Sequence, residues 1–356
     1  MLITIRNFII SIVAAFICNK DARHEFRKKY KIKSRFSKLR DDNKRLFNEN
    51  QRIETKLNAI QSELSSLKKV LMNHTWLNPL EENPIHYLSV ACIAKNEGPY
   101  LKEWIEYHKI LGVEKFYFYD NESTDDTRDI LASYIKDGSV EYRYVVGRIM
   151  LIPVYQDAIL KARGKSRWLA IIDPDEFIVP IEKETIPEFL KDYEEYPGVG
   201  INWMCFDGND HETKPTAHGG LVTANYTRVV RDHDQFDPDR WTKCIVNPND
   251  VVYCNGPHNY LYKNYQTVTE NFEQFSSPYT KFHSTKKIRI NHYFRKSREE
   301  FEEKAIKGCA VNRERAKRRI FAMDSAFFLP GIETAHDFTI QKYVPALKEA
   351  LGIKSQ

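Results

Sequence analysis

The sequence predicts a mixed α/β body, with a mostly parallel sheet covered by helices on both faces, behind an N-terminal coiled-coil helix. Three observations lead there. From Tyr87 onward short apolar runs alternate with amphipathic helical ones, residues 32 to 71 keep a seven-residue apolar repeat, and polar, acidic loops follow the apolar runs. With 42% hydrophobic and 29% charged residues among 356, the chain can bury a sizeable core and still carry a solvated appendage, which excludes a disordered protein.

The net charge of +5 is concentrated in runs such as Arg27-Lys28-Lys29 and Arg313 to Arg319. That distribution argues against nucleic acid as a partner and fits an anionic lipid surface. Six cysteines, Cys18, Cys92, Cys205, Cys244, Cys254 and Cys309, are scattered without a Cys-x-x-Cys pair, so free thiols are expected.

Residues 1–30 form a membrane-associating segment. The apolar run Phe8 to Cys18 is flanked by Arg6 and by Lys20, Arg23, Arg27, Lys28 and Lys29, and is too short to span a bilayer. An interfacial helix with its basic flank on headgroups is expected. Residues 31–73 form the coiled coil: Phe36, Asn43, Asn50, Leu57, Leu64 and Leu71 occupy one core position, and Ile32, Leu39, Leu46, Ile53, Ile60 and Leu67 the other. Asparagines in such a seam restrict register and oligomer number, so a homo-oligomer is expected. Pro79 and Pro84 mark a linker over residues 74–86.

In the body, residues 87–300, Tyr87 to Ala94 predicts a strand, Tyr100 to Leu111 a helix, Lys115 to Tyr119 a strand and Thr127 to Ile135 a helix. Val140 to Val146, a helix near Val154 to Ala162 and a strand at Trp168 to Ile172 continue the series, and residues 301–356 predict a helical extension. Ligands of parallel sheets gather at the carboxyl ends of the strands, so the loops after Ala94, Tyr119 and Ile172 should meet at one crevice. Neither a Gly-x-Gly-x-x-Gly fingerprint nor a P-loop is present.

Asp173-Pro174-Asp175 is the sharpest signal. Two carboxylates one residue apart at the end of a buried strand repel each other unless a cation lies beside them, and a hard divalent ion prefers such oxygen ligands. The ion would neutralise charge developing on a diphosphate leaving group. On this reading the pair costs stability without metal, and Asp175→Asn should leave thermal stability unchanged or raised.

Ala91-Cys-Ile-Ala-Lys-Asn-Glu97, Leu101-Lys-Glu-Trp-Ile-Glu-Tyr-His108, Phe116-Tyr-Phe-Tyr-Asp-Asn-Glu-Ser-Thr-Asp125 and Ile172-Asp-Pro-Asp-Glu-Phe177 together resemble the successive blocks of glycosyltransferase family 92 and related bacterial family-2-like enzymes. Lys243-Cys-Ile-Val246, Pro257-His258, Asn291-His-Tyr293 and Lys296-Ser297 resemble the later blocks, so the likeness runs from about Tyr87 to Gly308. The resemblance implies a GT-A type domain, a nucleotide-sugar donor, usually a uridine diphosphate sugar, and a divalent metal, Mn2+ with Mg2+ as the alternative. Carried over, it puts Asn96, Glu97, Asp120 and Asn121 in the nucleotide pocket, Asp173 and Asp175 on metal and diphosphate, and His258 or His292 on the metal as a further ligand. Lys296 is a candidate contact to the diphosphate.

An inverting transfer to a glycan hydroxyl needs a carboxylate base on the acceptor side. Trp203-Met-Cys-Phe-Asp-Gly-Asn-Asp-His-Glu212 offers Asp210 first and Asp207 second, although the chain has Phe206-Asp-Gly-Asn-Asp-His211 where similar proteins show Phe-Gly-Ser-x-Gly-His. Two other readings compete: a nucleotidyltransferase, and a coiled-coil membrane scaffold with a degenerate sugar-binding domain. The expected location is the cytoplasmic face of a bacterial inner membrane, with a Golgi membrane as the alternative.

Overall fold

A computed structural model describes residues 20–29, 38, 41–58, 84–231, 240–307 and 333–354. The chain forms two compact units, Met1–Trp76 and Leu77–Gln356.

In the first unit Lys20–Lys29 is a helix with Arg27, Lys28 and Lys29 in its last turn, and residues 41–58 are helical. Of the predicted seam, Leu46, Ile53 and Leu57 lie on that helix, each more than half exposed. Asn43 and Asn50 lie on it as well and are exposed, whereas the apolar run Phe8 to Cys18 and the other seam residues lie outside the described residues. No helix among the described residues is long and apolar enough to cross a membrane.

The second unit is a mixed α/β body. Its strands are β1 (His86–Ala94), β2 (Lys115–Asp120), β3 (Val140–Tyr144), β4 (Ser166–Ile171), β5 (Glu176–Pro180), β6 (Gly198–Cys205), β7 (Arg228–Arg231) and β8 (Thr242–Val246), followed by β9 (Val251–Cys254), β10 (Tyr260–Tyr262), β11 (Thr267–Val268), β12 (Gln274–Phe275), β13 (Ile288–His292) and β14 (Glu333–His336). The longer helices are α1 (Gly98–Ile110), α2 (Thr127–Lys136), α3 (Leu151–Ala162) and α4 (Arg298–Lys307). In the main sheet β3, β2, β1 and β4 run parallel; β8 then pairs antiparallel with both β4 and β6, and β13 runs parallel to β6 and antiparallel to β5.

Strands β1, β2 and β4 are buried on both faces over most of their length, and the period of two divides their side chains between two cores. Leu88, Val90 and Cys92 of β1, Phe116 and Phe118 of β2, and Trp168 and Ala170 of β4 join the core that contains Leu101, Trp104 and Ile105 of α1. Ala91, Tyr117, Tyr119, Leu169 and Ile171 face the core around Val154, Tyr155 and Ala158 of α3. Helix α1 gives way at Gly112, where φ is +93° and an added Cβ would lie 2.8 Å from the Pro187 ring, so glycine alone fits.

The chain's end is helical at Thr339–Tyr343 and Val344–Ala350, as expected, and adds a strand ahead of them. β14 pairs antiparallel with β7, Arg289 grips Asp337 with both terminal nitrogens, and Ile340 and Leu347 are buried in the main core. The reason is an apolar stripe, Ile340, Tyr343 and Leu347 at helical spacing, which buries surface against the body. The four cysteines among the described residues, Cys92, Cys205, Cys244 and Cys254, are buried free thiols.

His108 on α1 supplies a pH dependence. Its Nδ1 donates to the Trp104 carbonyl at 2.8 Å, and its Nε2 accepts from the Ile178 amide at 3.4 Å, which fixes a neutral imidazole. Burial pushes its pKa down to about 4. Because the folded value lies below the unfolded one, the associated stability is complete above about pH 6.5 and is lost as the pH falls toward 4. Moving from pH 7.5 to pH 5 should cost about 2 kcal/mol from this group. Melting curves of the wild type and His108→Gln across that range test it: the variant should be less stable at pH 7.5 and flatter with pH, and equal slopes would remove His108 as the cause.

Candidate active site

The carboxyl ends of β1, β2, β4, β6 and β13 form one edge of the body. Ala94 pairs with Asp120, Ala91 with Ile171, and His292 with both Cys205 and Glu176. The loops after Ala94, Asp120 and Ile172 therefore converge as topology requires.

On the β1–β2 side the predicted nucleotide residues stitch the crevice wall together. The Asn96 side-chain carbonyl accepts from the Thr124 amide at 2.7 Å, and the Asn96 backbone amide donates to the Ser123 hydroxyl at 2.9 Å. Asp120 accepts from the Ser123 amide at 2.8 Å and the Tyr142 hydroxyl at 2.7 Å. Asn121 donates to the carbonyls of Val145 and Gly147. Glu97 lies in a cleft with Tyr100, Lys296, Glu300 and Lys304. Asn96 and Lys296 both hold positive φ, +54° in each case.

Around Asp173-x-Asp175 the structure supplies cations of its own. Lys243 Nζ, 2% exposed, sits 2.8 Å from Asp173 Oδ2 and 3.6 Å from Glu176 Oε2. The other Asp173 oxygen accepts from the Tyr155 hydroxyl at 3.1 Å. Asp175 Oδ2 pairs with Lys304 of α4 and lies 3.7 Å from His292 Nε2. Burial works against ionisation of both aspartates, but Lys243 at Asp173, and Lys304 with His292 at Asp175, outweigh it and hold both carboxyls below the usual range. Glu176 is the opposite case: burial pushes it well above the usual carboxylate range against the pull of Lys243, and one of its oxygens is buried without a hydrogen-bond partner.

The repulsion expected between Asp173 and Asp175 is thus relieved by two ammonium groups, so neutralising one carboxylate would also remove a favourable pairing. The two candidate histidines part company. His292 faces Asp175, and its Nδ1 is buried without a hydrogen-bond partner. His258 turns its Nδ1 to the Thr242 carbonyl at 2.7 Å and sets its ring edge-on to Trp203 and Trp241.

Asp207 and Asp210 are both joined to Arg228. Its Nε lies 2.8 Å from each Asp207 oxygen, and its two terminal nitrogens reach Asp210 at 2.6 and 2.7 Å. Those hydrogen bonds hold the Asp210 carboxyl below its usual range. Asp210 remains 69% exposed at the side chain, whereas Asp207 is 10% exposed.

Against known proteins, the model of the family described as Glycosyltransferase family 92 matches residues 88–315. The chain belongs to glycosyltransferase family 92. A family 92 protein of Oryza sativa subsp. japonica is 31% identical over 174 residues, 46% of this chain and 29% of that protein. A galactan beta-1,4-galactosyltransferase of Arabidopsis thaliana is 25% identical over 177 residues, 44% of this chain and 32% of that protein. The chain thus spans about a third of the length of the curated relatives it matches. Among solved structures, S. aureus TarS in complex with UDP aligns over 36% of this chain and 38% of its own, at 15% identity and a TM-score of 0.28. A mannosyltransferase of Pyrobaculum calidifontis in complex with GDP-Man and Mn2+ aligns over 40% and 46%, at 14% identity and 0.26. Alignments so partial carry no further weight.

For this family 92 chain, sequence reasoning passed over Lys243, Tyr155, Lys304 and Arg228. Lys243 belongs to the run Lys243-Cys-Ile-Val246, which carries no expected role, and Lys304 falls in the expected helical extension. Only its contact with Asp175, 129 residues away in the chain, reveals it.

Proposed function

We propose that the body transfers a sugar, with inversion, from a uridine diphosphate sugar to a hydroxyl of a glycan or surface polysaccharide. The observation that carries this reading is the Asp173-x-Asp175 pair at the carboxyl edge, flanked by Lys243, Lys304 and His292. Positive groups fixed beside the diphosphate stabilise the charge that grows as the sugar leaves. The name of the Arabidopsis relative, a galactan beta-1,4-galactosyltransferase, supports a hexosyl donor and a polysaccharide acceptor.

A divalent cation fits the donor set in a limited way. Both oxygens of Asp173 already accept hydrogen bonds, which leaves Asp175 and His292 as the residues to hold it. Among the described residues no group of three or more His, Cys, Asp and Glu forms a ready metal cage. Mn2+ and Mg2+ suit such a site, because Mg2+ in particular keeps waters and substrate phosphates as ligands and needs few from the protein. When bound, the cation would neutralise charge on the leaving diphosphate.

For the acceptor, Asp210 is the proposed base. It is the more exposed of the two loop carboxylates, and Arg228 must release one of its oxygens before it takes a proton. Asp210→Asn should lower kcat about 10²–10⁴-fold, and Asp207→Asn less. Release of uridine diphosphate from a panel of nucleotide sugars with manganese, with and without acceptor, tests the whole reading: a nucleotidyltransferase would release none from these donors and would instead form pyrophosphate from uridine triphosphate and a sugar 1-phosphate, and a degenerate scaffold would release nothing in either assay.

The N-terminal unit is proposed to associate with itself and with membrane, at the cytoplasmic face of a bacterial inner membrane. Leu46, Ile53 and Leu57 leave one exposed apolar seam for a second copy, and Lys20–Lys29 carries basic residues for anionic headgroups. Full-length protein should run as an oligomer in light scattering while a chain starting at Asn83 runs as a monomer. Deleting residues 1–30 should abolish binding to vesicles containing phosphatidylserine. A monomeric full-length protein, or unchanged vesicle binding, would overturn the respective half.

A further inference from the structure

The body holds four tryptophans, and they fall into two kinds. Trp104 and Trp168 are fully buried in the main core. Trp203 and Trp241 are only partly buried, although each carries a large apolar surface that water penalises. They lie at the carboxyl edge, in a row of rings that begins at the proposed catalytic pair. His292, 3.7 Å from Asp175, packs on Trp203 with ring centres 4.4 Å apart. Trp203 stacks near-parallel with Trp241 at 6.3 Å, and Trp241 meets Tyr279 edge-on at 6.1 Å. Tyr279 is 47% exposed at the outer end of the row.

The row is held by backbone as well as by ring contacts. The Trp203 amide donates to the Trp241 carbonyl at 3.1 Å, Trp241 and Tyr279 form an antiparallel bridge, and the His258 ring wedges edge-on against both tryptophans. The rings are therefore placed before any ligand arrives, so little ordering cost falls on binding.

We propose that Trp203, Trp241 and Tyr279 form the acceptor subsite and take an oligosaccharide of several pyranose rings, whose C–H faces lie on the aromatic row. A pyranose presents hydroxyls at its rim and slightly positive C–H groups on its face, and those groups match the negative face of an aromatic ring. A lipid tail or an apolar peptide would match the apolar surface but would leave the phenol of Tyr279, 47% exposed at the outer end, without a polar partner. Because the row leads outward from Asp175, one ring at the inner end meets the transferred sugar and further rings of the acceptor continue toward Tyr279. This assignment rests on the transfer reading above and narrows its acceptor to a chain rather than a single sugar.

The test uses the full chain with manganese and uridine diphosphate, and β-1,4-linked galacto- and gluco-oligosaccharides of one to six rings as probes. Binding is read by tryptophan fluorescence and calorimetry, and transfer by KM for the acceptor. Affinity should rise with probe length. Tyr279→Ala should raise KM for the longest bound probe about tenfold, in the range of aromatic stacking contacts, while changing it for a monosaccharide less than twofold. Trp241→Phe should lose less acceptor affinity than Trp241→Ala while both keep the wild-type affinity for uridine diphosphate and lose more for six rings than for one, a length dependence that a purely structural role would not give. Tyr265, 71% exposed and outside the row, is the control, and Tyr265→Ala should leave every probe unaffected. Length-independent affinity, equal losses for one ring and six, or no binding by any probe would overturn the subsite. A wild type that binds no uridine diphosphate would instead remove the transfer reading itself, so the two failures are distinguishable.

Discussion

Asp175→Asn is expected to lose transfer almost completely, with kcat/KM down at least about 10²–10³-fold, the scale of removing one group that stabilises developing charge. The carboxylate meets both His292 and Lys304 at this edge, so its loss removes the proposed metal ligand and a charge that positions the lysine. Its effect on stability has a definite sign. The asparagine leaves the Lys304 ammonium without that partner, but Lys304 is 31% exposed and can regain water, so the cost should be about 1 kcal/mol. Manganese with uridine diphosphate should raise the melting temperature of the wild type by mass action and that of the variant far less. Retained transfer, or an unchanged manganese response, would refute the role of Asp175.

Lys243→Met should be the most destabilising single change at the site. Lys243 is 2% exposed, touches Asp173 at 2.8 Å and stands 3.6 Å from Glu176. Removing it takes away the cation beside Asp173 and buried Glu176, but the Asp173 side chain is 35% exposed and can regain water, so the cost should be about 1–3 kcal/mol. In a body of this size that is a fall of about 5 °C in Tm. Asp173→Asn added to Lys243→Met should recover part of the stability without recovering transfer, because the double variant has lost the buried charge along with its partner. A loss below about 1 kcal/mol in Lys243→Met, or strict additivity in the double variant, would show that the pair is not coupled.

Much of the body was legible because its signals are local. The runs Tyr87 to Ala94, Lys115 to Tyr119 and Trp168 to Ile172 are apolar on both faces, and a strand buried on both faces must look that way. The amphipathic spacing of Leu101, Trp104, Ile105 and His108 gave α1 in the same manner. The run after Val140 was less well bounded: β3 ends at Tyr144, where Val145 and Gly147 turn their carbonyls to Asn121 instead of to a neighbouring strand. At the end of the chain the expected helical residues, 339–350, follow Glu333–His336, four residues with no strong apolar pattern whose pairing with β7 no local signal announces.

At the site, the sequence by itself determined that two carboxylates stand at the end of a buried strand, that a cation must accompany them, and that the loops after β1, β2 and β4 share one crevice. Those facts follow from alternation, strand length and like-charge repulsion, all of which act between residues close in the chain. Which cations answer Asp173 and Asp175, which histidine faces the second of them, and that both candidate bases meet Arg228 were decided only by tertiary structure. The partners lie 70 residues away for Lys243, 129 for Lys304 and 117 for His292. An ion pair depends on a separation of a few ångströms between side chains, and no local pattern along the chain encodes a distance that is set by how β8, β13 and α4 pack against the edge of the sheet.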